Sequence, residues 1–238
     1  MPVNFEKYET YSINYKSLYN FLKVQPILYY KQNTKKYLKK WIKVLKFLDY
    51  KTTKKFKKDN SNFIKDANNN LKYETFLQTF TFNNNIKILI NYRIDLIEDF
   101  LTKYNLLNNW NEIDIDLFKT NESIISWTLV ESLTQQPIQK KPIYLAKFND
   151  GIKKWILIDG NFRISHIINS RQKTIKAYLL TENFMLRNNI FLSKFDKYLY
   201  AFINEMQTFQ ELWKIKHVPD KKLIKNSFLF KNEFISQI

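Results

Sequence analysis

Residues 142 to 180 read PIYLAKFNDGIKKWILIDGNFRISHIINSRQKTIKAYLL and contain both glycines of this 238-residue chain. Glycine reaches positive φ angles without a steric penalty, so it is most needed where the backbone turns sharply or a ligand approaches closely. Gly151 completes Asn149-Asp150-Gly151 between two apolar runs, and Asp-Gly is a favoured hairpin turn. The pattern predicts two strands, at 143–148 and 155–158, joined by this turn.

The second glycine, Gly160, lies in the turn Asp159-Gly160-Asn161, directly after the second predicted strand. The apolar spacing that follows predicts a short helix, with one face formed by Ile164, Ile167 and Ile168. A strand, a tight turn and a helix N-terminus together direct backbone N–H groups at an anion. Arg163, in the first turn of that helix, could hold a phosphate or carboxylate with its planar guanidinium. An ordinary strand-to-helix turn, capped by Asp159 or Asn161, fits the same residues.

The run LIDGNFRISHII, at residues 157–168, resembles the Asp-Gly-x-x-Arg signature of the ParB/sulfiredoxin superfamily, in which a strand leads through this turn into a helix. Three upstream segments resemble the opening strand, the first helix and the lead into the next strand of that domain, namely Ile113-Asp114-Ile115, Ser123–Leu133 and Gln136-Pro137-Ile138. The resemblance covers roughly residues 111 to 182, under a third of the chain.

Two features depart from the family pattern. The usual histidine of the signature is Phe162 here, so no role of that histidine is carried over. The chain contains no cysteine, which excludes a thiolate reaction of the sulfiredoxin type. His166 lies close by on the predicted helix, but it is not at the family's histidine position.

Members of this superfamily commonly bind nucleotides, and some hydrolyse them or transfer phosphate. The resemblance therefore implies a site for a nucleoside triphosphate with Mg²⁺, in which the backbone N–H groups of Gly160 and Asn161 cradle phosphate and Arg163 neutralises its charge. Asp159 would orient Mg²⁺, a ribose hydroxyl or an attacking group. The candidate catalytic residues are thus Asp159 and Arg163. By the same analogy, the adjoining wall would be lined by Gln136 and Ile138.

The charge balance of the chain points to an anionic partner. Its 39 basic and 22 acidic residues give a net charge of +17. Many of its abundant residue types have AT-rich codons, which accounts for lysine in place of arginine but leaves the charge unchanged. A balance this positive attracts polyanions, with nucleic acid the commonest and an anionic membrane surface second.

The composition also excludes several classes of site. The absence of cysteine excludes disulfides and thiolate metal sites and fits a reducing compartment. With only two histidines in the chain, a histidine-built metal site is not expected. The sequence contains no apolar run of about 18 residues, so no membrane span is predicted. The N-terminus lacks the apolar region of a signal peptide. We therefore expect a cytoplasmic protein.

The most basic stretch, Lys31–Lys58, holds twelve lysines and one acid, Asp49, and so carries +11 of the net charge. Apolar residues recur in it at helical spacing, and the turns between them are filled by Lys35, Lys36, Lys39, Lys40, Lys43 and Lys46. The pattern predicts a basic amphipathic helix followed by a solvated KTTKKFKK segment. This lysine face could contact a phosphate backbone, could be a solvated helix face, or could serve a membrane surface or partner helix.

The other segments are less distinctive. Residues 11–30 predict a helix capped near Ser12 or Asn14 and interrupted by Pro26. Polar residues at 59–70 predict a loop.

Residues 71–82 fit a helix or a strand, whereas 86–104 predict a helix. A long helix is expected from Thr181 to about Trp213, ended by Pro219. An exposed acidic face, rather than a metal cluster, is expected for Asp95, Glu98 and Asp99.

The expected fold class is α+β. A helical, lysine-rich region at 1–108 precedes a ParB/sulfiredoxin-like domain at 109–182, and a long helix with a basic tail occupies 183–238. Three functions compete. The first is a nucleotide-dependent DNA-binding protein of partition or regulatory type, as in plasmids or phages. Such a protein could act as a homodimer. The second is a nuclease or phosphotransferase acting through Asp159 and Arg163. The third is a non-catalytic interaction module with a degenerate pocket.

Overall fold

The structure is a computed structural model, and the residues that it describes are 2–7, 9–68, 74–82, 86–120, 123–130 and 141–231, without the side chains of 59–68. The fold is mixed α/β. Its helices and strands, in chain order, are β1 (Val3–Asn4), β2 (Glu9–Thr10), α1 (Tyr15–Leu22), α2 (Lys31–Asn68), β3 (Thr75–Phe82), β4 (Ile86–Arg93), α3 (Asp95–Lys103), β5 (Asn111–Asp114), a 3₁₀ helix (Ile115–Phe118), β6 (Ile125–Ser126), β7 (Ile143–Lys147), β8 (Trp155–Asp159), α4 (Asn161–Ile167), β9 (Thr174–Leu180), α5 (Glu182–Arg187), α6 (Lys194–Lys216), α7 (Asp220–Lys225) and α8 (Phe228–Lys231).

The chain forms two compact units. The first joins Met1–Tyr92 to Phe191–Ile238, and the second is Arg93–Ile190. These bounds differ from the segments expected from the sequence, 1–108, 109–182 and 183–238, because the C-terminal helices belong to the same unit as the N-terminal ones. No helix among the described residues combines the length and the apolar character needed to cross a membrane.

The first unit is built on two long helices. Helix α1 begins as predicted, with the Asn14 side chain accepting from the Ser17 backbone N–H at 2.9 Å. Helix α2 packs its apolar face against α6, where the ring centroids of the buried Trp41 and Phe202 lie 5.2 Å apart. A buried carboxylate of α6, Glu205, accepts hydrogen bonds from the Tyr37 hydroxyl at 2.8 Å and from the Trp41 indole N–H at 3.1 Å.

The loop predicted at 59–70 is wrong over 59–68, because α2 continues to Asn68. No proline or glycine occurs between 31 and 68 to end the helix, and each added residue extends a formed helix at little cost. The solvated segment expected after the basic helix is likewise part of α2.

The helix predicted at 86–104 is wrong in its first half, which forms strand β4, paired with β3 in a two-stranded sheet. The spacing of Ile86, Ile90 and Ile94 fits both a strand and a helix. An interval of four residues is twice the strand period of 2.0 and close to the helix period of 3.6. Burial at Ile88 and Tyr92 supplies the period of two that selects the strand. Only the second half of the segment is helical, as α3.

The long helix predicted from Thr181 is divided in two. Thr181 does cap a helix, α5, by accepting from the Phe184 N–H. That helix ends at Arg187, with Asn188 as its C-cap, and Asn189 adopts a left-handed φ of 54°, which asparagine tolerates better than most residues. Ser193 then caps α6, which belongs to the first unit.

The second unit is a five-stranded mixed sheet in the order β5-β9-β7-β8-β6. The predicted hairpin is confirmed: β7 and β8 pair antiparallel, joined through Gly151 at a φ of 99°. The outer strands β5 and β6 pair antiparallel with β9 and parallel with β8, and β7 pairs parallel with β9. Helix α4 packs on this sheet through Ile164, which shares a buried cluster with Leu145 and Leu157.

The helix predicted at Ser123–Leu133 is wrong over the described residues 123–130. This segment is extended there, and Ile125–Ser126 forms β6. The pairing of β6 with β8 places Ile125 in the buried cluster, so tertiary burial selects the strand. The opening strand predicted near Ile113 is present as β5.

Candidate functional site

The predicted turn lies at the junction of β8 and α4 in the second unit. Gly160 adopts a φ of 108° and is the residue that precedes α4, so the cap lies between the two residues that the sequence suggested. Its carbonyl accepts from the Ile164 N–H at 2.9 Å. A Cβ at this position would lie 2.3 Å from Cγ2 of Ile143 on β7. Glycine is therefore required here because the chain's own strand approaches the turn closely.

Arg163 is held by partners within the same unit. Its Nη2 atom donates to Asp159 Oδ2 at 2.5 Å, and its Nη1 atom donates to the Lys141 carbonyl at 2.9 Å. The spacing of four residues, across the first turn of α4, brings the two charged groups together. Arg163 is only 8% exposed, and its charge is paired with the half-buried Asp159. An anion binding here would have to compete with that carboxylate.

Two side chains of α4 also accept hydrogen bonds from backbone N–H groups of the irregular segment that follows β6. Asn161 Oδ1 accepts from the Thr128 N–H, and Ser165 Oγ accepts from the Val130 N–H, both at 2.8 Å. These two backbone N–H groups lie outside the strands, so the side chains of α4 supply the acceptors that strand pairing would otherwise provide. The Asn161 side chain thus has a structural role. Four residues of the predicted site lie together in the fold, namely Asp159, Gly160, Asn161 and Arg163. The predicted wall, Gln136 and Ile138, lies outside the described residues.

An open cleft of about 640 Å³ lies at the other end of α4. It is bordered by Ile168 and Asn169, just beyond the C-terminal end of the helix, and it contains no residue of the Asp159-Gly160 turn. Lys153, on its edge, donates to the Ser123 carbonyl at 2.5 Å. No local sequence pattern indicates this cleft, because its walls come from segments whose contacts depend on the β6–β8 pairing.

The acidic residues of α3 are exposed or half-buried, and two of them form ion pairs. Asp95 pairs with Arg93 at 2.5 Å, and Glu98 lies 3.4 Å from the Lys141 ammonium. Among the residues that the structure describes, no three histidine, cysteine, aspartate or glutamate side chains come together as metal ligands. The exposure of Glu98 and Asp99 fits the helix surface expected from the sequence.

The second candidate site is the lysine face of α2, defined as its twelve lysines between Lys31 and Lys58. All twelve are exposed, namely Lys31, Lys35, Lys36, Lys39, Lys40, Lys43, Lys46, Lys51, Lys54, Lys55, Lys57 and Lys58. At about 100° per residue, they lie mainly opposite the buried face that contains Trp41, Leu45 and Leu48. With a rise of about 1.5 Å per residue, the lysine face extends for about 40 Å.

No lysine of the lysine face forms an ion pair with a carboxylate whose side chain the structure describes. The one acid in this stretch, Asp49, is buried and accepts from the Tyr15 hydroxyl at 3.0 Å and from Thr53 Oγ1 at 3.3 Å. None of the ion pairs seen among described residues includes a lysine of α2. Two of the six lysines singled out from the sequence lie over aromatic rings: Lys40 over Phe230 at 4.4 Å and Lys46 over Tyr15 at 5.7 Å.

Comparisons with protein-family models, with curated proteins and with solved structures gave no match for this chain. The resemblance to the ParB/sulfiredoxin superfamily therefore stays a prediction from the sequence.

Proposed function

We propose that this protein binds nucleic acid through the phosphate backbone, with the lysine face of α2 as the contact surface. The observation that carries the proposal is the row of twelve exposed lysines on one helix, without a carboxylate partner among the described residues. Phosphates lie about 3.4 Å apart along each strand of a duplex, so a face about 40 Å long can follow many of them. Lysine contacts of this kind position a protein without reading bases.

The spacing of the lysines has a cost that a polyanion would remove. Lys31, Lys35, Lys39 and Lys43 follow one another at intervals of four residues, and like charges at this spacing destabilise a helix by about 0.2–0.5 kcal/mol per pair. Solvated helix faces usually mix both signs of charge, which lowers this repulsion. Codon bias explains the choice of lysine, but it does not explain why the single acid of the stretch, Asp49, is buried.

The packing of α2 favours nucleic acid over a membrane surface. A helix that lies in a membrane interface inserts its apolar face among the lipids. The apolar face of α2 is buried in the first unit instead, with Trp41 and Leu45 fully covered. The lysine side chains are what this helix presents outward, and their chemistry suits phosphates in an extended array.

The test is the salt dependence of binding to a labelled duplex, measured by fluorescence anisotropy. Affinity should fall steeply with salt, with a slope of about −0.9 in log K per phosphate neutralised. The variant Lys39→Gln/Lys43→Gln should reduce the slope by up to about 2 if both lysines contact phosphates. The matched control is Lys87→Gln/Lys173→Gln, which removes two exposed lysines outside α2. Salt-independent binding, or equal losses in both variants, would contradict the proposal.

Nucleotide binding at the Asp159-Gly160 turn, and nuclease or phosphotransferase activity through Asp159 and Arg163, stay predictions from the resemblance. A bound phosphate there would have to compete with Asp159 for the Arg163 guanidinium. A thermal-shift screen against nucleoside triphosphates, with and without Mg²⁺, tests the binding. Turnover that survives Asp159→Ala would exclude the enzymatic role for that residue.

A further inference from the structure

Two tyrosines directly before the lysine face are unusually exposed. Tyr29 is 66% exposed and Tyr30 is 61% exposed. Their ring centroids lie 4.8 Å apart with the rings almost perpendicular, at 88°. The Tyr29 ring also meets the edge of Trp213, with the centroids 6.0 Å apart. The three rings form a continuous aromatic surface, the aromatic platform, next to the first lysine of α2.

The backbone under the aromatic platform is fixed by a buried acid. Asp220, 4% exposed, accepts from the Tyr29 N–H at 2.9 Å and from the Tyr30 N–H at 3.0 Å. Its Oδ2 atom also accepts from the Asn33 side chain at 2.8 Å. The Trp213 indole N–H donates to the Pro26 carbonyl at 2.8 Å. The rings are therefore held outward on an ordered backbone, which lowers the entropy that a ligand must remove to use them.

Positive charge borders the aromatic platform along the chain. Lys31 directly follows Tyr30, while Lys221 and Lys222 directly follow Asp220, and all three are exposed. On α6, the exposed Lys214 and Lys216 flank the end of the helix that carries Trp213. The Asp220 carboxylate is buried and its oxygens accept hydrogen bonds from Tyr29, Tyr30 and Asn33, so it is not presented at the surface beside the rings. Exposed rings with lysines next to them in the chain are a combination that suits single-stranded nucleic acid, with bases on the rings and phosphates on the cations.

We infer that the aromatic platform binds unpaired bases, so that the nucleic acid bound by this protein is single-stranded where it meets Tyr29 and Tyr30. The inference rests on the proposed function of the lysine face. Two perpendicular rings can each stack on a base only if the two bases are unstacked from each other. A single strand allows this separation, whereas the bases of a duplex are paired and stacked.

The experiment compares the binding of a fluorescent oligodeoxythymidine of about 16 nucleotides with that of a duplex of equal length. Tyr29→Ala and Tyr30→Ala should each weaken single-strand binding by about tenfold, within the range measured for base–aromatic stacking. Duplex binding should change by less than about twofold, and the salt slope should be unchanged because no charge is removed. Tyr29→Phe keeps the ring and should restore single-strand binding.

The matched control is Tyr104→Ala, since Tyr104 is a 49% exposed tyrosine of the second unit, outside both α2 and the aromatic platform. Circular dichroism and melting temperature verify that each variant is folded, and Tyr30→Ala keeps the test valid if Tyr29→Ala disturbs Trp213. Unchanged single-strand binding in both alanine variants would overturn the inference while steep salt dependence still supported the lysine face. Loss of self-association in the variants, without loss of single-strand binding, would overturn it in favour of a protein contact. A wild-type protein that binds neither probe would refute the proposed function itself.

Discussion

Replacing Gly160 with alanine adds one methyl group at the junction of β8 and α4, and the structure gives its consequences in two parts. The φ of 108° is one that residues with a Cβ rarely adopt, which costs about 1–2 kcal/mol. The new Cβ would also lie 2.3 Å from Ile143 Cγ2 and 2.9 Å from Ile143 Cβ, and forced overpacking costs about 1–3 kcal/mol. We expect Gly160→Ala to lower the free energy of unfolding by about 2–5 kcal/mol.

The matched control is Gly151→Ala in the β7–β8 turn. Gly151 has a similar φ of 99° but is exposed, so the substitution should cost only the backbone part, about 1–2 kcal/mol. Any gain from a stiffer unfolded chain is the same for both variants and cancels in the comparison. The difference between the two variants therefore measures the contact between Ile143 and the turn.

The assay is urea unfolding followed by tryptophan fluorescence. Because the two compact units need not unfold together, hydrogen exchange of the amides in β7, β8 and α4 is measured as well, to assign the loss to the second unit. Equal costs for the two variants would refute the reasoning, because the glycine would then be needed for its φ angle alone and the turn would have room for a ligand.

Further predictions concern two buried carboxylates of α6. Glu205→Ala should lower the free energy of unfolding by about 3 kcal/mol, because it leaves the buried Tyr37 hydroxyl and Trp41 indole N–H without their acceptor. Urea unfolding measures this loss of stability. A loss no larger than that of Gln210→Ala on the same helix would contradict the prediction. Burial raises the pKa of Asp196 to about 6, despite the hydrogen bonds that it accepts from Ser193 and Asn91. A carboxyl with a raised pKa in the folded state favours folding when protonated, so its contribution to stability should fall, by about 3 kcal/mol, as the pH rises from about 4 to about 6, and stay constant above. A carboxyl carbon NMR titration checks this, and a midpoint below 4 would contradict it.

The sequence predicted those parts of the fold whose signals are local. The hairpin through Gly151, the turn at Gly160, the short helix after it and the Asn14 cap all depend on residues within a few positions of one another. The helix predictions that were wrong, at 86–93 and at 123–130, concern segments in which apolar spacing fits two periods or in which pairing with a distant strand decides. The polar residues at 59–68 resemble a loop in composition, but they contain no proline or glycine to end the helix, so α2 continues through them.

The candidate sites show the same division. The neighbourhood of Asp159 and Arg163 follows from their spacing, but the filling of the turn by Ile143 depends on how β7 packs, which no local pattern reports. The lysine face was visible in the sequence because charge and periodicity are local. The aromatic platform was not, since the acid that holds Tyr29 and Tyr30 is Asp220, nearly two hundred residues away.

The way in which the chain leaves and re-enters the first unit has a consequence for how the protein is made. Tyr92 and Phe191 face each other as bridge partners, so Arg93–Ile190 is an insertion whose two ends emerge side by side. During synthesis the whole insertion is made before α6, the helix that packs against Trp41 of α2. The nascent segment Met1–Tyr92 must therefore keep that apolar face shielded, by itself or with a chaperone, until α6 has been synthesised.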